Sequence, residues 1–127
     1  MKILGFYEEL WSARAGSPLG SIKNFVRNTA APDEEKVMNY LANGHEIFSV
    51  MGVEKDVLGS DYRILGGYSV KTDGEWVWRD GLWFYLIEYH IGLPEEFLEK
   101  VRAYNYEVPY VPESLLDELA DKVVDIW

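Results

Sequence analysis

The sequence predicts an α+β fold: a small antiparallel sheet containing a type I′ hairpin, covered by about four helices, in a single domain spanning residues 1–127. Three observations point there. Segments opening at Pro32, Pro94 and Pro112 each begin with acids and continue with apolar residues at helical spacing, the pattern of amphipathic helices. Residues 46–79 are instead rich in β-branched and aromatic side chains broken by glycines. Between these two kinds of sequence lies "LWFYLI", apolar nearly all round, which as a helix must be enclosed by other elements.

In chain order, residues 3–11 fit either a short strand or a helical turn. The loop "SARAGSPLGS" follows, and Ser21 is placed to cap a short helix through Arg27. A helix from Pro32 to about Asn43 comes next. Asp33, Glu34 and Glu35 complement its dipole, Val37, Tyr40 and Leu41 form its apolar stripe, and Gly44 can end it. Strands are expected near 46–51, 62–65 and 68–72, separated by Gly52, Gly59, Gly66 and Gly67. Thr72-Asp73-Gly74-Glu75 carries the strongest local signal, because Asp-Gly suits the two positive-φ positions of a type I′ turn. That turn joins strands 68–72 and 75–79 and pairs Val70 with Val77, leaving Trp76 and Trp78 on the face that holds Ser69 and Lys71. Asp80 can cap a helix from Gly81 to about Ile91, with Gly92 as terminator. In the last two helices Phe97, Leu98, Val101 and Tyr104, and Leu115, Leu116, Leu119, Val123 and Ile126, each fall on one helical face.

Composition narrows the function classes. There is no cysteine, hence neither a disulfide nor a thiolate metal site, which fits a reducing cytoplasm. The longest apolar run, Leu82 to Ile87, falls far short of the ~20 residues of a membrane helix. Glu8 and Glu9 interrupt the apolar start before a secretion signal could form, so a cytoplasmic location is expected. Net charge is −10 and lopsided: residues 1–31 carry four bases and two acids, residues 32–127 eight and twenty. Such a field repels phosphate backbones and draws basic partners, so direct nucleic-acid binding is disfavoured.

The chemical motifs are few. His45, His90 and a carboxylate such as Glu88 are the available metal ligands, but no spacing presents the two histidines together, and neither a metal nor a cofactor is expected. A glycine-rich phosphate loop, a GxSxG elbow and a cysteine nucleophile are lacking, and no carboxylate pair is singled out, so a non-enzymatic role is favoured over catalysis. Trp76 and Trp78, with Lys71 beside them, are candidates for a stacking platform that takes a carbohydrate or other small ligand; core packing is the stronger expectation, since large aromatics bury most of their area. Dipole complementation accounts for Asp33, Glu95 and Glu113. It does not account for the surplus of residues 88–127, where ten acids face three bases.

The segment from Gly66 to Pro109 contains TDGxWxW, an aromatic helix, YHxxLPxEF and a closing Val-Pro. It resembles small bacterial proteins carrying those motifs; proteins of this kind, small, acidic and cysteine-free, are similar in type to the immunity proteins that neutralise bacterial toxins. The resemblance implies an acidic binding protein whose partner is a basic toxin, a nuclease being one such toxin, blocked by direct complex formation. The residues expected to meet it are Glu107, Glu113, Asp117, Glu118 and Asp121 as charged contacts, with Tyr106 and Tyr110 as aromatic anchors. The terminal Ile126-Trp127 is expected to dock, either on the body of the protein or on a second subunit.

Overall fold

The computed structural model describes residues Met1–Trp127. Its strands are β1 (Lys2–Ile3), β2 (His45–Phe48), β3 (Val53–Lys55), β4 (Arg63–Leu65), β5 (Val70–Thr72) and β6 (Trp76–Arg79). The helices are α1 (Glu34–Ala42), α2 (Leu82–Tyr89), α3 (Glu95–Ala103) and α4 (Glu113–Ile126). Short 3-10 turns occupy Ala13–Ala15 and Ile22–Phe25, and in the second the Ser21 side chain accepts from the Lys23 N–H as a cap. No helix is long and apolar enough to cross a membrane.

The α+β class and all four main helices match expectation, whereas the sheet differs in three respects. It is mixed: strands run in the order β1-β6-β5-β2, with β1 parallel to β6 and the other pairings antiparallel. Its parallel edge comes from the segment whose conformation the sequence left open. Residues 53–55 form a strand that sequence reading passed over, and β3 and β4 make a separate two-stranded hairpin.

The third difference is the turn between β5 and β6. Val70 pairs with Arg79, not with Val77, and the ladder closes at Thr72 and Val77, so Asp73–Trp76 forms a four-residue connection. Only Gly74 there takes a positive φ, of 99°. The type I′ expectation fails because the Asp73 side chain does other work. Its Oδ1 accepts the backbone N–H groups of Glu75 and Trp76 at 3.0 and 2.8 Å, and its Oδ2 accepts the Tyr40 hydroxyl at 2.6 Å. A wider loop wrapped on a buried carboxylate replaces the tight turn. The register moves by two residues, so the faces are as expected and Trp76 and Trp78 still point the same way.

That face is the centre of the core. Trp78 is 0% exposed and Trp76 5%. Phe97 of α3 meets both indoles edge-on, at 5.6 and 6.0 Å between centroids, and Tyr40 of α1 packs against Trp78 and Phe97. Each such aromatic pair adds about 0.5–1.5 kcal/mol beyond the area it buries. The Trp78 indole N–H donates to the Leu41 carbonyl at 3.2 Å, at the end of α1. β6 is buried along its whole length. α4 packs along β2 and the Ala13–Ala15 turn, burying Leu119 and Val123.

Two helix boundaries have other causes than those expected. Asp80 does not cap α2; its carboxylate pairs with Lys71 at 2.9 Å. α2 ends at His90, which adopts the left-handed conformation itself (φ 52°), so Gly92 is not the terminator. The Arg27 guanidinium, donating to the His90 carbonyl at 2.8 Å, and the Glu34 carboxylate, 2.9 Å from His90 Nδ1, hold that residue in place. The terminal Trp127 docks on its own chain, its indole N–H donating to the Tyr68 carbonyl and its ring 5.3 Å from Phe48.

Candidate functional site

The acidic residues separate into two populations. On the α1–α3 side most acids have a cation, Glu35 and Glu99 excepted: Asp33 with Arg102 at 2.9 Å, Asp73 and Glu75 with Lys100 at 3.3 and 3.2 Å, and Glu96 with Lys2. Hydrogen bonds from Arg102 and then Tyr106 hold the Asp33 carboxyl below its usual range. These charges balance one another within the fold.

On α4 they do not. Glu113, Asp117, Asp121 and Asp125 recur every four residues, all exposed and none ion-paired; the helix's single base, Lys122, lies 3.6 Å from Glu118. Like charges at this spacing repel by about 0.2–0.5 kcal/mol per pair. Asp121 and Asp125 also lie toward the C-terminal end, where the helix dipole disfavours anions. Dipole complementation therefore explains Glu113 and not the acids that follow it.

Glu113 and Asp117, the first two of these acids, border a groove of about 400 Å³ between β2, an edge strand, and the start of α4. Its floor is apolar, from Ile47, Val111 and Leu116, and its rim holds Glu46, Glu113 and Asp117. Tyr110 stands at one side, 86% exposed. The proline at 112 starts α4 and fixes where the exposed segment before it gives way to helix, which is why Tyr110 and Glu113 flank the same opening.

The structure thus brings Glu113, Asp117 and Tyr110 together. It places Glu107, Glu118 and Asp121 on the surface outside the groove, with Glu118 engaged by Lys122. Tyr106 does not belong there: its hydroxyl donates to Asp33 at 2.8 Å, which ties it to α1. Glu46, Ile47 and Leu116 were missed. Alternation along β2 puts Glu46 outward, and that was the available signal; the proximity of β2 to α4 is tertiary and leaves no local trace.

The indole platform is corrected by burial. With Trp76 and Trp78 covered by Tyr40 and Phe97, neither face is open to a sugar or other ligand. Lys71 is spent on Asp80 and on the Ala42 carbonyl, at 2.9 and 2.8 Å. The two histidines are apart in function as well as sequence: His45 Nε2 sits 3.0 Å from the Pro109 carbonyl, and His90 faces Glu34. Glu88 joins neither of them.

A buried polar network looks catalytic at first sight and is better explained as an anchor. Glu54 of β3 lies 3.1 Å from the Arg79 guanidinium and accepts the Tyr85 hydroxyl at 2.8 Å. Burial pushes the Glu54 carboxyl up, against the downward pull of Tyr85 and Arg79. Arg79 also donates to the Leu10 carbonyl, and Tyr85 accepts the Val57 N–H at 3.2 Å. The network joins the β3–β4 hairpin, β6, α2 and the N-terminal segment, and every oxygen of the carboxylate is used internally. No family model, curated protein or solved structure matches the chain.

Proposed function

We propose that this chain is a non-enzymatic binding protein that docks a basic protein partner through the groove between β2 and α4. The observation that carries the reading is the unpaired acid ladder Glu113-Asp117-Asp121-Asp125, which costs the isolated fold stability and whose first two members rim a groove with an apolar floor and an open tyrosine. A basic segment would neutralise the rim while an apolar side chain fills the floor, and Tyr110 supplies the desolvated anchor such interfaces favour. The field of the −10 chain would accelerate encounter with that partner. A cytoplasmic immunity role against a basic toxin, a nuclease being one, is the finer form of the proposal and rests on a likeness in type to immunity proteins, the chain being small, acidic and cysteine-free.

The test is affinity capture from the source cells with wild-type protein and with an Asp117→Lys/Asp121→Lys variant as baits. A stoichiometric basic protein held by wild type at low salt, released as ionic strength rises well past ~0.15 M and not held by the variant, supports the groove. Equal retention by the variant moves the interface elsewhere, and an empty wild-type bait at low salt overturns the reading. Toxicity of the captured protein, relieved by co-expression of this chain, separates an immunity role from other binding roles.

A further inference from the structure

The aromatic face left open by the fold lies elsewhere than the paired indoles. Trp83, Phe84, Ile87 and Glu88 occupy positions i, i+1, i+4 and i+5 of α2 and so share one side of it. Together with Ser60 and Tyr62 they line a cleft of about 180 Å³ between the helix and the loop joining β3 to β4. Phe84 forms the back and stacks on Tyr62, with centroids 4.5 Å apart and planes 14° from parallel. Trp83 meets Phe84 edge-on at 88°, so it stands steeply to Tyr62 as well. Two rings at a steep angle thus make a corner. Tyr62 is 49% exposed and Trp83 half-buried, unlike every indole in the core.

The loop is held ready. Asp56 accepts the N–H groups of Leu58 and Ser60 at 2.8 and 3.1 Å and the hydroxyl of Tyr89, which comes from the last turn of α2. The Tyr62 N–H donates to Ser60 Oγ at 3.3 Å. Binding there would order little that is not already ordered. Glu88 at the rim is exposed and makes none of the chain's ion pairs.

We propose that this cleft binds a small quaternary ammonium ion, seated against the Trp83 and Tyr62 rings with Glu88 as its counter-charge. The chemistry follows from the walls. Ring faces carry negative quadrupole and attract a cation most strongly when it is diffuse and weakly hydrated, and tryptophan is the best of the rings. An unpaired carboxylate favours the cation over a neutral group of the same shape, and a head group of four methyl-sized substituents suits an apolar corner that a compact, strongly hydrated ammonium does not. The site is independent of the groove along α4, and its failure would leave the partner reading untouched.

The experiment is a titration of labelled protein with choline, followed by amide and indole N–H shifts, beside the neutral tert-butyl isostere of choline. Saturable shifts at the Trp83 indole and around residues 60–62, with the isostere roughly fivefold or more weaker, are expected. Glu88→Gln should weaken choline about two- to threefold and leave the isostere unchanged. Tyr62→Ala, an exposed loop position that keeps the fold testable should Trp83→Ala disrupt α2, should weaken choline several-fold. Equal binding of the isostere shows an apolar cleft without cation selectivity and overturns the proposal. So does the absence of saturable shifts at Trp83, or choline affinity unchanged in Tyr62→Ala and Glu88→Gln together.

Discussion

Gly44 shows how a single missing methyl group sets the core. Its φ is not in the left-handed region, so no turn requires glycine there. A Cβ at this position would lie 2.6 Å from Trp78 Cζ2 and 3.1 Å from the Lys71 Cβ, so glycine is required by the approach of the Trp78 ring to the chain after α1. Gly44→Ala should therefore destabilise by about 1–3 kcal/mol, the range for overpacking a tight interior. Trp78→Phe removes the obstructing edge at its own cost in lost packing, roughly a few kcal/mol. Because both changes act on one contact, the double variant should be more stable than the sum of the two losses by about 0.5 kcal/mol or more. Denaturant unfolding of the four proteins measures that coupling, and strict additivity would place Trp78 away from Gly44. The sequence offered Gly44 as a helix stop, because a glycine after an apolar stripe carries that meaning locally; its partner thirty-odd residues away in the chain carried the other.

At the level of elements, the β5–β6 connection separates two physical readings that share one dipeptide. A type I′ turn at Asp73-Gly74 would tolerate Asp73→Asn or gain from it, since Asn-Gly is the favoured pair for that geometry. In the wider loop Asp73 Oδ1 takes two backbone donors and Oδ2 takes the Tyr40 hydroxyl and, at 3.3 Å, the Lys100 ammonium. An amide nitrogen in place of Oδ2 would face those donors, and the half-buried Lys100 ammonium would keep only Glu75 of its two counter-charges, so Asp73→Asn should cost about 1–3 kcal/mol. Thermal unfolding decides it; an unchanged or raised midpoint would restore the tight turn. What the sequence made legible here were the elements whose signal is local: proline and acids before α1, α3 and α4, and the β-branched and aromatic residues of β5 and β6 on either side of Asp73-Gly74. What it hid were the pairings that depend on distant partners. β1 is two residues long and exists because Lys2 and Leu4 donate to the carbonyls of Glu75 and Val77, and β3 carries an acid inward because Arg79 and Tyr85 wait there. The candidate groove follows the same rule: its α4 half could be read from spacing, and its β2 half could not.

For the whole molecule, the distribution of charge separates what holds the fold together from what the surface is kept for. The paired acids around α1 and α3 are stabilising or neutral, each offset by a nearby cation. The α4 ladder is not, since its members repel along the helix and its C-terminal acids oppose the dipole. A sequence shaped for stability alone would place a lysine at 121, where it would face Asp117 in the favourable order of acid before base, and one at 125, where it would complement the dipole. Asp121→Lys/Asp125→Lys should accordingly raise stability at low salt by about 0.5–1.5 kcal/mol, summing dipole and pair contributions, and the gain should shrink as salt screens it. Thermal unfolding at two ionic strengths measures this. A gain in stability that comes with loss of the captured partner would mean that α4 trades fold energy for recognition. A variant that is less stable than wild type at low salt would mean that the ladder serves the fold through favourable contacts of its own, and nothing in its charge would then mark α4 as a docking surface.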